Sequence, residues 1–132
     1  FEPHCELVFG RTYPWNDGLR TRLIALGQGG EATSLDELGA LDTTIARALA
    51  RADVVYLTVD LDVLPGHQMP AVSAPAAMGI PLDLLMHITG PILRSEKLVG
   101  ADVAEFSPPF DINGQGARVA ARMLWHMWQS WH

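Results

Sequence analysis

Leu35, Leu38, Leu41, Ile45, Ala48 and Leu49 recur at three- and four-residue intervals, the spacing of one apolar face of an α-helix. The stretch SLDEL that opens this run supplies a capping box, in which the Ser34 hydroxyl accepts from the Glu37 amide while the Glu37 side chain reaches back. Asp36 and Glu37 near the start, with Arg47 and Arg51 near the end, match the helix dipole. A helix is therefore predicted to begin at Ser34 and end near Arg51. The period then changes. Val54 to Leu61 is a nearly continuous run of strand-forming apolar residues, which predicts a strand covered on both faces in a parallel sheet.

Pro65, Pro70, Pro75 and Pro81, with Gly66 and Gly79, predict an irregular connection from Leu64 to Ile80, longer than most connections inside a compact domain. Pro81 suits the first position of a helix carrying Leu82, Leu84, Leu85, Ile88 and Leu93, which Gly90-Pro91 should break or kink. Lys97 to Phe106 predicts a second buried strand, SPPFDINGQG a loop, and the segment from about Ala117 to Trp128 a last helix. The order helix, strand, loop, helix, strand, loop, helix implies right-handed crossovers and a parallel sheet flanked by helices. Residues 1–33 are poorly patterned, so the organised α/β unit is placed at 34–132.

In such sheets ligands gather beyond the carboxyl ends of the strands, where Asp60, Asp62 and Glu105 all fall. Residues i and i+2 of a strand point to the same side, so Asp60 and Asp62 are expected to present two carboxylates together. Like charges held close in a partly buried site raise at least one pKa unless a cation lies between them. All-oxygen donors favour Mg²⁺, Mn²⁺ or Ca²⁺ over soft metals. The plain structural alternatives are that the two aspartates cap the following loop and that Glu105 pairs with an arginine at the sheet edge.

Composition narrows the partners. The formal net charge is −6 with no Lys/Arg cluster, which argues against nucleic acid, and no run approaches the ~20 apolar residues of a membrane span. The single cysteine cannot form an internal disulfide, and the N-terminal residues carry no secretory pattern, so a cytoplasmic protein is expected. Charged residues make up only 18%, below the ~25% usual for globular domains, so part of the surface is expected to be covered. Trp125, Trp128 and Trp131 with Met123 and Met127 crowd the last helix, and a homo-oligomer is expected, with Trp131 as the favoured contact.

Three segments in order carry a resemblance: YLTVDLDVLPGHQMPAVSAPAAMGIP, LVGADVAEFSPPFD and ARVAARMLW. They resemble the C-terminal part of the ureohydrolases (arginase, agmatinase and formimidoylglutamase), and LTVDLDVLP followed by VSAPAAMGIP is most similar to the formimidoylglutamase branch. The resemblance implies a three-layer αβα fold with a parallel sheet, two Mn²⁺ ions at its carboxyl end, and hydrolysis of a small amidine substrate. For the closest branch the reaction is N-formimidoyl-L-glutamate to L-glutamate and formamide, a step of histidine degradation.

By the same resemblance Asp60 bridges the metals and Asp62 binds one of them. Glu105 holds the substrate amidinium, and Ser73 approaches the substrate. The ions would lower the pKa of a shared water, making it a nucleophile toward the amidine carbon. The family also draws a histidine and an Asp-x-His-x-Asp segment from sequence upstream of the Asp-x-Asp, and this chain contains no such segment. The 132 residues are thus expected to be a C-terminal half, inactive alone. Arginase- or agmatinase-type activity, a sugar-nucleotide transferase using Asp-x-Asp, and a non-catalytic assembly module with a vestigial metal site are the rival readings.

Overall fold

The structure, a computed structural model, describes residues 35–131; the 1–33 segment and the Ser34 side of the capping box lie outside them. Helix α1 covers Leu35–Arg51 and buries Leu41 and Ile45, two positions of the predicted apolar face. Its C-terminal carbonyls are met by the Lys97 ammonium, which donates to the Leu49 oxygen at 2.7 Å, a cation at the negative end of the helix. Strand β1 (Val55–Asp60) follows, then a 3₁₀ turn over Leu61–Val63, helix α2 (Leu82–Leu93), strand β2 (Leu98–Ala104), a second 3₁₀ turn over Pro108–Phe110, and helix α3 (Gln115–Ser130).

The two strands pair in parallel, with Tyr56 opposite Gly100, Thr58 opposite Asp102 and Asp60 opposite Ala104. The register slips by one residue between Val55 and Tyr56, leaving Val99 unpaired. Helix α2 packs between α1 and α3 and against β1, while α3 rests on β2. One core joins them: Leu41 and Ile45 from α1, Leu57 and Val59 from β1, Ile88 from α2 and Met123 from α3. Together these elements form part of an αβα sandwich.

Two expectations change. β1 is not covered on both faces by the described residues: Leu57 and Val59 are buried, whereas Tyr56, Thr58 and Asp60 between and beyond them are exposed. The apolar run predicted two covering layers, and the described helices supply one. Helix α2 also continues through Gly90-Pro91 to Leu93 instead of breaking. Proline removes the hydrogen bond to the carbonyl four residues back, but only two residues of helix remain beyond it. Burial of Ile88, Ile92 and Leu93 holds the last turn, and the Arg94 amide closes it on the Gly90 oxygen at 3.1 Å.

The connection from 64 to 80 has no regular element of its own, as predicted, yet it is packed. Leu64, Met69, Ala71, Val72 and Ile80 are buried within it. The Gly66 amide donates to the Ala76 oxygen and the Ile80 amide to the Val63 oxygen, both at 2.8 Å. Gly79 passes so close to the Leu64–Pro65 peptide that a Cβ would lie 2.5 Å from the Pro65 nitrogen, which only glycine tolerates. The Gln68 side-chain oxygen accepts from the Leu82 amide at 3.0 Å and so caps α2 from within the loop.

Candidate active site

The four residues singled out by sequence lie on three segments that leave the sheet at its carboxyl edge. Asp60 is the last residue of β1. Asp62 does not continue the strand: the chain turns into the 3₁₀ segment at Leu61, whose fully buried side chain anchors the turn. Strand alternation therefore does not govern Asp62, and the same-side argument for the pair fails on geometry. The charge of Asp62 nevertheless acts on Asp60. Partial burial first, then the charges of Asp62 and Asp102, raise the Asp60 carboxyl above its ordinary range.

Asp102 is the acid that sequence reasoning missed. It lies inside β2 opposite Thr58, and its Oδ2 accepts the Tyr56 hydroxyl at 2.9 Å. That hydrogen bond, reinforced by the carboxylate's charge, raises the Tyr56 phenol. The available signal was an aspartate in the middle of the apolar run LVGADVA, out of place in a strand buried on both faces. Gly100 makes room for the phenol: a Cβ there would sit 2.5 Å from the Tyr56 ring.

Glu105 follows β2 directly, one residue past Ala104, the partner of Asp60. Its side chain is exposed and its backbone is left-handed, with φ 70°. A non-glycine residue in that region is strained by roughly 1–2 kcal/mol, and such strain concentrates at functional positions. The strand was predicted to reach Phe106; the left-handed turn at Glu105 is what ends it at Ala104. The alternative pairing of Glu105 with an arginine does not form; among the described residues the ion pair is His87–Asp42, at 2.8 Å between α2 and α1.

Ser73 is exposed in the 64–80 loop, just after the buried Val72. Two bonds fix its neighbourhood. The Ser107 amide donates to the Ala71 oxygen at 2.8 Å, and Gln115 Nε2 donates to the His67 oxygen at 2.6 Å. The loop bearing Ser73 is thereby stitched to the loop bearing Glu105 and to the start of α3. Gly116 lies against Ala71 and Met69, with no space for a side chain.

Asp111 organises the same corner. Its Oδ1 accepts from the Ile112 and Gly116 amides at 2.8 and 2.7 Å, and its Oδ2 from Ala117 at 3.1 Å. Burial alone would raise this carboxyl, but those amides and the Arg118 charge hold it below its ordinary range. This cap starts α3 at Gln115, two residues earlier than predicted.

Asp60 and Asp62 are hard oxygen donors of the kind Mn²⁺ accepts. Among the described residues, no group of three or more His, Cys, Asp or Glu side chains converges to hold a metal ion. Two carboxylates fit part of an ion's coordination sphere and are short of the roughly six donors of an octahedral site.

The arginase family model matches residues 27–129. The formimidoylglutamase of Klebsiella aerogenes is 47% identical over 117 residues, which are 89% of this chain and 52% of the relative. That of Klebsiella pneumoniae (strain 342) is 55% identical over 87 residues, 66% of this chain and 27% of the relative. The fold is shared with the formimidoylglutamase of Bacillus subtilis (TM-score 0.63, 23% identity, 69% of this chain and 28% of that one). It is shared equally with Trypanosoma cruzi formiminoglutamase solved with Mn²⁺ (TM-score 0.61, 23% identity, 73% of this chain and 33% of that one). The chain thus spans about half the length of one curated relative and about a quarter of the other. With a family model matching most of its length and these elements in the same arrangement, the chain belongs to the arginase family.

Proposed function

We propose that residues 34–132 are the C-terminal part of the catalytic domain of a cytoplasmic, Mn²⁺-dependent formimidoylglutamase. The complete enzyme hydrolyses N-formimidoyl-L-glutamate to L-glutamate and formamide. The observation that carries this reading is the parallel register: Asp60 and Ala104 are partners, so the Asp60–Asp62 carboxylates and Glu105 leave the sheet at one edge.

Asp60 and Asp62 supply two of the donors for Mn²⁺, and the others come from residues beyond those described. A divalent ion bound there supplies Lewis acidity, which brings water into its nucleophilic range near neutral pH. Glu105 receives the planar amidinium through charge-assisted hydrogen bonds and stabilises positive charge as the amidine carbon becomes tetrahedral. It is exposed just past the end of β2, with a left-handed backbone. Ser73, on the loop tied to the Glu105 loop, offers a hydroxyl to the substrate's polar end.

The test is hydrolysis of formimidoylglutamate, agmatine and arginine with Mn²⁺. The 132 residues alone are expected to match the buffer rate, and the chain joined to the upstream half of a relative is expected to turn over formimidoylglutamate best. Clear activity from the 132 residues alone overturns the incomplete-site reading, and preference for agmatine or arginine overturns the substrate. In the joined protein, Glu105→Gln should cut kcat/KM by roughly 100-fold or more with metal content unchanged. Asp60→Asn should lower the Mn²⁺ content itself. Loss of metal in Glu105→Gln would make that residue a ligand instead.

A further inference from the structure

Ser73 inherits its position from its neighbours. Among the described residues it makes no hydrogen bond of its own. The exposed 73–75 run is carried between Val72 on one side and Ala76 on the other, both buried. What fixes the hydroxyl is therefore whatever fixes the 67–72 segment.

That segment is seated on the first turn of α3. Met69 and Ala71 are fully buried and meet Gly116, itself buried in that turn. A Cβ at Gly116 would run into the Ala71 Cβ and would stand 3.0 Å from Asp111 Oδ1 and 3.3 Å from Met69 Sδ. The helix does not ask for glycine there: its φ is not left-handed, and alanine would favour the helix by about 1 kcal/mol. The close approach of the loop is what requires it.

One residue earlier, Gln115 Nε2 donates to the His67 oxygen at 2.6 Å. The turn it grips is closed by the Met69 amide on the Pro65 oxygen at 2.9 Å, and the Gln68 side chain ties the same turn to α2. Neither Gln115 nor Gly116 spends its side chain on starting α3, because Asp111 already receives the Gly116 and Ala117 amides. The same Asp111 ends the excursion that begins at Glu105, so one helical turn is the common reference for the loops bearing Ser73 and Glu105.

We propose that Gly116 and Gln115 are positioning residues: the first turn of α3 sets how far the Ser73 hydroxyl stands from the Glu105 carboxylate, and thereby the span of substrate that both can hold at once. The role rests on the catalytic reading, in which Glu105 takes the amidinium and Ser73 the polar end. A span fixed before binding leaves no loop to be ordered by the substrate.

The test measures KM and kcat of the joined protein on its best substrate, formimidoylglutamate by the reading above. Gly116→Ala should raise KM about 10-fold or more, with kcat within ~3-fold and Mn²⁺ content unchanged. Adding Ala71→Gly, which moves the methyl group across the contact, should bring KM back to within ~3-fold of the parent. With Ser73→Ala already present, Gly116→Ala should change KM by less than ~2-fold, because the hydroxyl it positions is gone. Gln115→Met, close in shape and without a donor, should raise KM about 3-fold and carries the test if Gly116→Ala does not fold. In the 132-residue chain Gln115→Met should also speed amide exchange at Met69 by at least ~3-fold.

A full Gly116→Ala effect in the Ser73→Ala background overturns the positioning role and leaves the catalytic reading standing. So does a fall in kcat with KM unmoved, failure of Ala71→Gly to restore KM, or a Gln115→Met protein with KM and Met69 exchange unchanged. A joined parent that turns over none of formimidoylglutamate, agmatine and arginine overturns the catalytic reading and the positioning role together.

Discussion

The two faces of the β1–β2 pair share one hydrogen-bonded ladder and differ in almost everything else. One face carries Leu57 and Val59 with Ala101 and Val103, pressed onto the helices through Ile88 and Met123. The other carries Tyr56, Thr58 and Asp60, all exposed, with Gly100 and Asp102, both half-buried. The difference separates two tasks. Burial on the helix side supplies the free energy that holds the strands in register, and the acids on the far side are free to repel one another because that stability does not depend on them.

Substitutions sharpen this contrast. Leu57→Ala is expected to lose about 3 kcal/mol by urea titration, in the usual range for a buried leucine, while its neighbour Thr58→Ala should stay within ~0.5 kcal/mol. Equal losses would mean that the far face is also packed. Glu105→Gly should gain up to ~1 kcal/mol, because glycine adopts a φ of 70° without strain; a loss would show that this turn stores no tension.

A smaller effect belongs to the helix side. His126 on α3 meets the buried Thr89 hydroxyl of α2 at 3.1 Å, and burial, aided by Arg122 and Arg94, holds its imidazole below its ordinary 6.5. The unfolded chain therefore takes up its proton first. Stability present above pH 6.5 should fall as the pH drops toward the folded-state value, and His126→Gln should flatten that slope. The smallest effect is on the far face. Asp102→Asn should bring the Tyr56 phenol down toward 10.0 in an ultraviolet titration and leave the thermal midpoint nearly unchanged.

Much of this was legible in the chain. The helical period from Leu35, the strand run from Val54 and the proline-rich connection name their elements because each rests on local chemistry, and the structure places them within a few residues of their predicted bounds. What local pattern could not convey depended on distant partners. Pro91 stays helical because Ile88, Ile92 and Leu93 are held from outside the helix. Asp62 leaves the strand because Leu61 buries itself in the turn. Asp102 is invisible as a site residue until the parallel register brings it beside Tyr56. The strand-end acids read from sequence, Asp60, Asp62 and Glu105, sit at one edge of the sheet, while the early start of α3 required seeing Asp111 reach three amides.

The bond from the Ser107 amide to the Ala71 oxygen has a consequence for motion. It joins two excursions of the chain into one mechanical body, so a fluctuation that lifts the segment bearing Ser73 must also disturb the segment bearing Glu105 or break this link first. Amide exchange at Ser107 is therefore a single reporter for both, and its protection measures how long the rim of the sheet keeps its shape.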